Sequence, residues 1–237
     1  MLGSRSKSRS AQREPAAPRA RRAKLGRPEN GGANAREAMM DAAEAVFSES
    51  GYAGTTLREV AQRAEVTQAL VSYYFGSKYG LFEEVFLRRG RQISDARQEN
   101  LQRLMDSGEP VRVRDIVRAF LMPTLALRST PEGRAFIRLQ ARLHTEPPEI
   151  SYQLRNNAYD TSTRSYAYAI CAALPGLSEK DVFWRVTLMV GAYLYAFSDT
   201  HRLEQFAAGI CNPDDTEEVL EQATAFIVGG MEAPPAG

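Results

Sequence analysis

Residues 56–78 read TLREVAQRAEVTQALVSYYFGSK, and this stretch decides the fold. Thr56 and Glu59 have the spacing of a capping box, in which a hydroxyl satisfies the amide at N3 and a carboxylate returns to the cap's own N–H. Leu57, Val60 and Ala61 recur at i, i+3 and i+4, which gives a short helix one apolar face. Ala64-Glu65-Val66 then breaks the pattern. Thr67 can cap a second helix, in which Leu70, Val71 and Tyr74 turn inward and leave Gln68, Ala69, Ser72 and Tyr73 facing outward. Two short helices joined by a tight turn, the second with a free polar face, form the arrangement that lays one helix in the major groove of DNA.

Working outward, Ser77 is a third cap, and a longer helix from Lys78 to Arg91 carries Leu81, Phe82, Val85 and Phe86 on its apolar side. Upstream, Asn34 and Glu37 form another cap pair. Ala38, Ala42, Ala45, Val46 and Phe47 are the expected buried stripe of the first helix, which Gly51 should end in a left-handed conformation. Residues 34–91 thus hold three short helices and the start of a fourth, enough for one small core.

The segment AAEAVFSESGYAGTTLREVAQRAEVTQALVSYYFGSKYGLFEEV, Ala42 to Val85, resembles the tetracycline-repressor (TetR) family of transcriptional regulators. The likeness is strong over about residues 34 to 90 and diffuse beyond. It implies an all-α homodimer, with an N-terminal three-helix helix-turn-helix domain and a C-terminal helical bundle for effector binding and dimerisation. It also implies roles for residues. Thr67, Gln68 and Ala69 match the start of the recognition helix, and a Gln amide such as that of Gln68 can bond an adenine edge bidentately. Tyr73, Tyr74 and Lys78 match positions that meet phosphate or sugar, and Thr56 sits where a helix N-terminus can hold a phosphate. Ser72 belongs to the same surface, where many members carry an aromatic. Glu65 stands at a turn position that is often Gly, and Tyr79-Gly80 replaces a more usual acidic pair. The partner so implied is a double-stranded DNA operator.

Charge is unevenly spread. The chain's net charge is +1, yet residues 1–33 hold nine Lys or Arg against two Glu, whereas in residues 34–80 acidic residues outnumber basic ones six to four. Counterion release drives much of DNA affinity, so the tail, with Arg88, Arg89 and Arg91, would supply the field. That tail lacks large apolar residues and cannot offset its ordering entropy, so it is expected to be disordered alone. Within it Lys24-Leu25-Gly26-Arg27-Pro28 resembles part of an AT-hook, whose arginine, here Arg27, enters the minor groove. The full hook has a second arginine where Leu25 stands. The bland alternative is a solvated start with no role.

Residues 92–232 are expected to form the ligand-binding and dimerisation domain. Pro123 should kink a helix over 113–127 or end a run of hydrogen bonds. Thr130-Pro131-Glu132 opens another helix, Pro147-Pro148 a third that stops before Pro175, Ser178 and Asp181 cap a long helix from 179 to about 206, and Asp214 or Asp215 caps the last. An apolar pocket is expected among Phe120, Met122, Phe136, Leu139, Tyr152, Tyr159 and Tyr166. The long helix is apolar on more than one side, and Val186, Val190, Tyr193 and Leu194, with Leu220, Ala223 and Ile227, are the expected dimer seam. The run from Gly176 to Gly230 distantly resembles regulators that answer to fatty acyl compounds, which points to a small apolar effector.

No catalytic constellation stands out. His144 and His201 lie in no metal or triad spacing, Cys171 and Cys211 match no redox or metal motif, and no Gly-rich phosphate loop is present. No metal or cofactor is expected. No apolar run is long enough to span a bilayer, and no signal peptide is evident, so no membrane role is expected and the protein should be cytoplasmic. The reading is a DNA-binding transcriptional regulator, a ligand-responsive repressor. Its rivals are an architectural DNA-coating protein and an enzyme built on a helical bundle.

Overall fold

The computed structural model describes residues 31–198 and 202–235. Among these the chain is helical, with no strand: α1 (Gly31–Gly54), α2 (Leu57–Arg63), α3 (Gln68–Phe75), α4 (Lys78–Met105), α5 (Val113–Ala126), α6 (Pro131–Leu143), α7 (Pro148–Arg155), α8 (Thr161–Ala173), α9 (Glu179–Phe197), α10 (Arg202–Phe206) and α11 (Thr216–Glu232). A 3₁₀ turn at Leu127–Ser129 leads into α6, and a π turn at Asn156–Asp160 joins α7 to α8.

Six helix starts follow side-chain oxygens. Thr56, Thr67, Ser77, Thr130, Ser178 and Asp215 each accept from an amide of the first turn of the helix they precede. Each such cap stabilises by about 1 kcal/mol. Asn34 departs from expectation: α1 begins at Gly31, so Asn34 lies a turn inside the helix. The buried stripe is also rotated. Met39, Met40, Ala42, Ala43, Val46 and Phe47 are buried while Ala38 is exposed, because the two bulkier methionines claim the core. Gly51 breaks α1 with φ 70° and ψ 179°, a conformation open essentially to glycine alone.

Two other expectations are corrected. The stretch after Pro148 is not one regular helix, since the π turn widens it at Asn156–Asp160. The long helix stops at Phe197 with Ser198 as its C-cap, well short of residue 206.

Two hydrophobic clusters hold the molecule. One gathers Phe47, Val60, Val71, Phe82, Phe86 and Phe136. The other gathers Ile116, Phe120, Tyr166, Val182, Met189 and Phe197. Fully burying one such side chain stabilises by about 1.5–3 kcal/mol. The residue 91/92 boundary expected between domains falls inside α4, which runs unbroken through it. That helix gives Leu81, Phe82, Val85, Phe86 and Ile93 to the first cluster and Leu101 to the second.

Polar contacts fix the two faces of α4. Against α1, the carboxylate of Glu44 is buried and meets Arg88 at 2.7 Å and Arg89 at 3.3 Å; Arg88 also reaches Glu37 and Asp41. Arg36 of α1 pairs with Glu84. Against α5, the contacts answer Pro123. Proline has no N–H, so the carbonyl of Ala119 loses its helical partner. The Asn100 side chain donates to that carbonyl at 3.2 Å, and Arg97 Nε donates to the next, Phe120, at 3.0 Å. Pro123 therefore interrupts the hydrogen-bond run without ending α5.

Because Gly51 occupies a region that other residues reach only under strain, Gly51→Ala should lower unfolding free energy by about 1–3 kcal/mol. Denaturant titration reads this directly, and a variant as stable as the parent would show that the backbone at residue 51 can relax.

Candidate nucleic-acid interface

The turn between α2 and α3 is built from backbone bonds. Val66 N–H donates to the Ala61 carbonyl at 2.9 Å and Glu65 N–H to the Gln62 carbonyl at 3.2 Å, the paired pattern of a Schellman motif. Its left-handed residue is Glu65, at φ 54°, where glycine is usual. Thr67 follows, its hydroxyl accepting from Leu70 N–H at 3.2 Å.

That cap sets the rotation of α3. Val71 and Phe75 are buried and Leu70 and Tyr74 half-buried against α2 and α4, while Thr67, Gln68 and Ala69 are exposed and Ser72 half-exposed. Tyr73 is 74 % exposed, its ring edge-on to Tyr74 with centroids 5.5 Å apart. The side chains expected at base edges and backbone thus share one uncovered face. At the far end Gly76, at φ 70°, turns the chain by a bond from Ser77 N–H to the Phe75 carbonyl at 2.7 Å, and Ser77 starts α4.

Two of the expected phosphate contacts are engaged within the chain. The Thr56 hydroxyl and amide both meet Glu59 Oε2, at 2.8 and 2.9 Å, and these bonds hold the Glu59 carboxyl below its ordinary range. A phosphate at this helix start would have to displace that carboxylate. Lys78 Nζ donates to the carbonyls of Thr55 at 2.9 Å and Ala53 at 3.3 Å and lies 4.5 Å from the Tyr52 ring centre. Its charge is spent mainly on closing the end of α1.

The expected basic field is corrected in the same way. Arg88 and Arg89 are tied to α1 carboxylates, and Arg63 pairs with Glu49 at 2.8 Å; Arg91 remains exposed. Arg27 and the segment around it lie outside the described residues, as does His201.

Most of the expected pocket residues fill space in one of the two clusters or face solvent instead of lining a cavity. Phe120 packs edge-on to Tyr166 with centroids 5.0 Å apart and to Tyr193 at 5.9 Å, and Phe136 and Leu139 are buried in the first cluster. Met122 and Tyr152 face solvent. A cavity of about 520 Å³ does open between α4, α6, the π turn and α9, lined by Phe86, Arg97, Gln140, Leu143, Tyr159 and Val190 among others. Of the seven expected residues only Tyr159 reaches it. Arg97 was missed, although the sequence carried a signal: Phe86, Gly90, Ile93, Arg97 and Leu101 follow one another at helical spacing, and the arginine is the polar residue in that apolar stripe.

The expected seam is likewise turned inward. Val186, Tyr193, Leu194, Leu220 and Ile227 are buried in the chain's own second cluster, with Val190 and Ala223 half-buried against it. The uncovered apolar stripe of α9 is Trp184, Leu188 and Tyr195, between 63 % and 66 % exposed, beside Phe226 of α11. An α-helix apolar on several sides offers more than one stripe, and only packing decides which is used inside. Among the described residues, no helix is long and apolar enough to cross a membrane.

Comparison with known proteins bears on the whole chain. Residues 39–85 match the domain described as bacterial regulatory proteins, tetR family, and residues 118–230 match the tetracyclin repressor-like C-terminal domain. The HTH-type transcriptional regulator BetI of Burkholderia thailandensis is 36% identical over 196 residues, 81% of this chain and 91% of that protein. BetI of Paraburkholderia xenovorans is 48% identical, but over 48 residues that span only 25% of its length. Among solved structures, a tetR family transcription regulator from Shewanella sp. PV-4 superposes with a TM-score of 0.59 at 19% identity, covering 81% of this chain and 95% of that one. NalD of Pseudomonas aeruginosa does so with 0.58 at 24%, covering 82% and 96%. These two likenesses concern the fold. With α3 free at the surface on a capped, two-helix frame, and with both halves of the chain matched, the protein belongs to the TetR family of transcription regulators and is not an enzyme.

Proposed function

We propose that the protein is a ligand-responsive repressor that binds a palindromic DNA operator as a homodimer. The observation that carries this reading is a pair of uncovered surfaces on one chain. The polar face of α3 is open, with Gln68 and Tyr73 outermost, and the apolar stripe Trp184–Leu188–Tyr195 with Phe226 is open on the second cluster. Joining two copies through that stripe by a two-fold axis would cover it. It would also present two α3 helices, which suits half-sites about 34–36 Å apart or a multiple of that spacing.

Gln68 is the best-placed base reader, with Thr67, Ala69, Ser72, Tyr73 and Tyr74 as its neighbours at the duplex. The basic tail, Arg27 included, adds long-range attraction that the pairing of Arg63, Arg88 and Arg89 removes from the folded domain. A ligand in the cavity acts by preferring one α4 arrangement, and its differential affinity sets how far operator binding falls.

The test uses a DNA site selected by the protein from a random-sequence pool. Gln68→Ala/Tyr73→Ala should weaken binding to that site by at least about tenfold, since a bidentate base contact contributes about 1–3 kcal/mol of discrimination; an unchanged Kd would sink the assignment of α3. Removing residues 1–28 should weaken binding and flatten its salt dependence, and an unaltered salt slope would exclude the tail from the interface. Trp184→Glu/Leu188→Glu should sediment as a monomer and lose the selected site, whereas a dimer of normal DNA affinity would place the seam elsewhere.

A further inference from the structure

The cavity beside α4 contains a buried charge that has no counter-ion among the described residues. Arg97 is 1 % exposed. Its guanidinium donates through Nε to the Phe120 carbonyl and through Nη2 to Thr124 Oγ1 at 3.1 Å, and its carbon lies 3.6 Å from the Phe120 ring centre. Both hydrogen-bond acceptors are neutral. Three other arginines at the core edge meet carboxylates, Arg88 with Glu44, Arg118 with Glu221 and Arg128 with Asp214 at 3.6 Å, while the half-buried Arg134 and Arg185 meet main-chain carbonyls. Arg97 makes no ion pair among the described residues. A buried charge left uncompensated is strongly unfavourable, and such charges are normally paired.

Two more groups face the same space unsatisfied. Tyr159 Oη, on the π turn, and Gln140 Oε1, on α6, are both buried without a hydrogen-bond partner among the described residues. Burial pushes the Tyr159 hydroxyl well above its ordinary pKa, so it stays a proton donor. The Gln140 amide can present either end, because its oxygen and nitrogen exchange places by a flip. One cation, one hydroxyl donor and one amide, which donates here once its nitrogen takes the place of the unsatisfied oxygen, therefore converge on a space whose remaining wall is apolar, with Phe86, Leu143, Val190 and Leu194. The charged groups at the rim are Arg155 and Asp160; His144 is held below its ordinary pKa by desolvation and by Arg155. Counting Arg97, the lining is net positive.

We propose that this cavity binds a small monocarboxylate with an apolar body, its carboxylate seated between Arg97 and the Tyr159 hydroxyl with the Gln140 amide alongside. The proposal rests on the ligand-responsive reading above and names the class of the ligand. With Nε and Nη2 of Arg97 already used, a single oxygen on the free end of the guanidinium and the second oxygen on Tyr159 suit a carboxylate. A cationic ligand would meet Arg97 across an apolar gap with nothing to screen it. The volume, about 520 Å³, is ample for a small ligand.

The test is isothermal titration of the full-length protein with octanoate, 1-octanol and octylamine, which differ at the head group. Octanoate should bind at least tenfold more tightly than 1-octanol, with octylamine weakest. Arg97→Gln, which keeps a donor for the Phe120 carbonyl, should abolish the preference for octanoate over 1-octanol. Equal or tighter binding of the alcohol or the amine, no octanoate binding, or an unaltered preference in Arg97→Gln would each overturn the proposal. Should Arg97→Gln fail to fold by circular dichroism, Tyr159→Phe/Gln140→Leu carries the same test: the preference should fall several-fold, and its persistence overturns the proposal. Operator affinity of the parent without ligand is measured in parallel. DNA binding without octanoate binding defeats the carboxylate site alone, and octanoate preference without DNA binding defeats the repressor reading alone.

Discussion

The structure depends on α4 being packed into two cores at once. Phe82 and Phe86 are fully buried in the cluster that supports the helix-turn-helix, and Leu101 closes against the cluster of α5, α8, α9 and α11. A helix held at both ends by close-packed side chains moves as a rod, since interiors of this density yield little to compression. Polar contacts strengthen the constraint. Glu44 anchors the α1 side of the rod through Arg88 and Arg89, and Asn100 and Arg97 anchor the other side by taking the carbonyls around Pro123. The proline thus makes α5 a receptor for side chains of α4.

The same economy of charge shapes the DNA-facing end. Arg88 and Arg89 are neutralised by the buried Glu44, Arg63 pairs with Glu49 at the surface, and Lys78 holds α1 closed. What remains on α3 is mostly hydroxyl, amide and aromatic surface. Such a surface reads shape and base edges better than it attracts phosphate at a distance. Arg97 differs in being fully buried with no counter-ion among the described residues. Its position on α4, in the turns beyond the residues that pack the first cluster, places a buried cation on the element shared by both cores.

Much of the N-terminal third was legible in the sequence because its determinants are local. A capping box needs residues three apart, and the Thr67 cap fixes which side of α3 is buried through helical periodicity alone. Where local rules compete, the reading slipped. Asn34 could cap, but the chain before it was also able to continue the helix, and Ala38 and Met39 could each have led the buried stripe. The π turn at Asn156–Asp160 and the end of α9 at Phe197 left no pattern that single-residue preference could detect.

By itself the sequence determined the helical class, the capped starts of α2, α3, α4, α6, α9 and α11, the Gly51 break and the outward set Gln68, Ala69 and Tyr73, because each follows from bonds or spacings within a few residues. Only the tertiary structure decided which apolar stripe of α9 lies inside, that Tyr159 and not Phe120 or Tyr166 borders the cavity, and that Arg97 is buried without a counter-ion among the described residues. Those outcomes depend on which surfaces of distant segments meet. Hydrophobic burial is non-directional, so a stripe of Val186 and Tyr193 and a stripe of Trp184 and Leu188 are equivalent until α5 and α11 are in place.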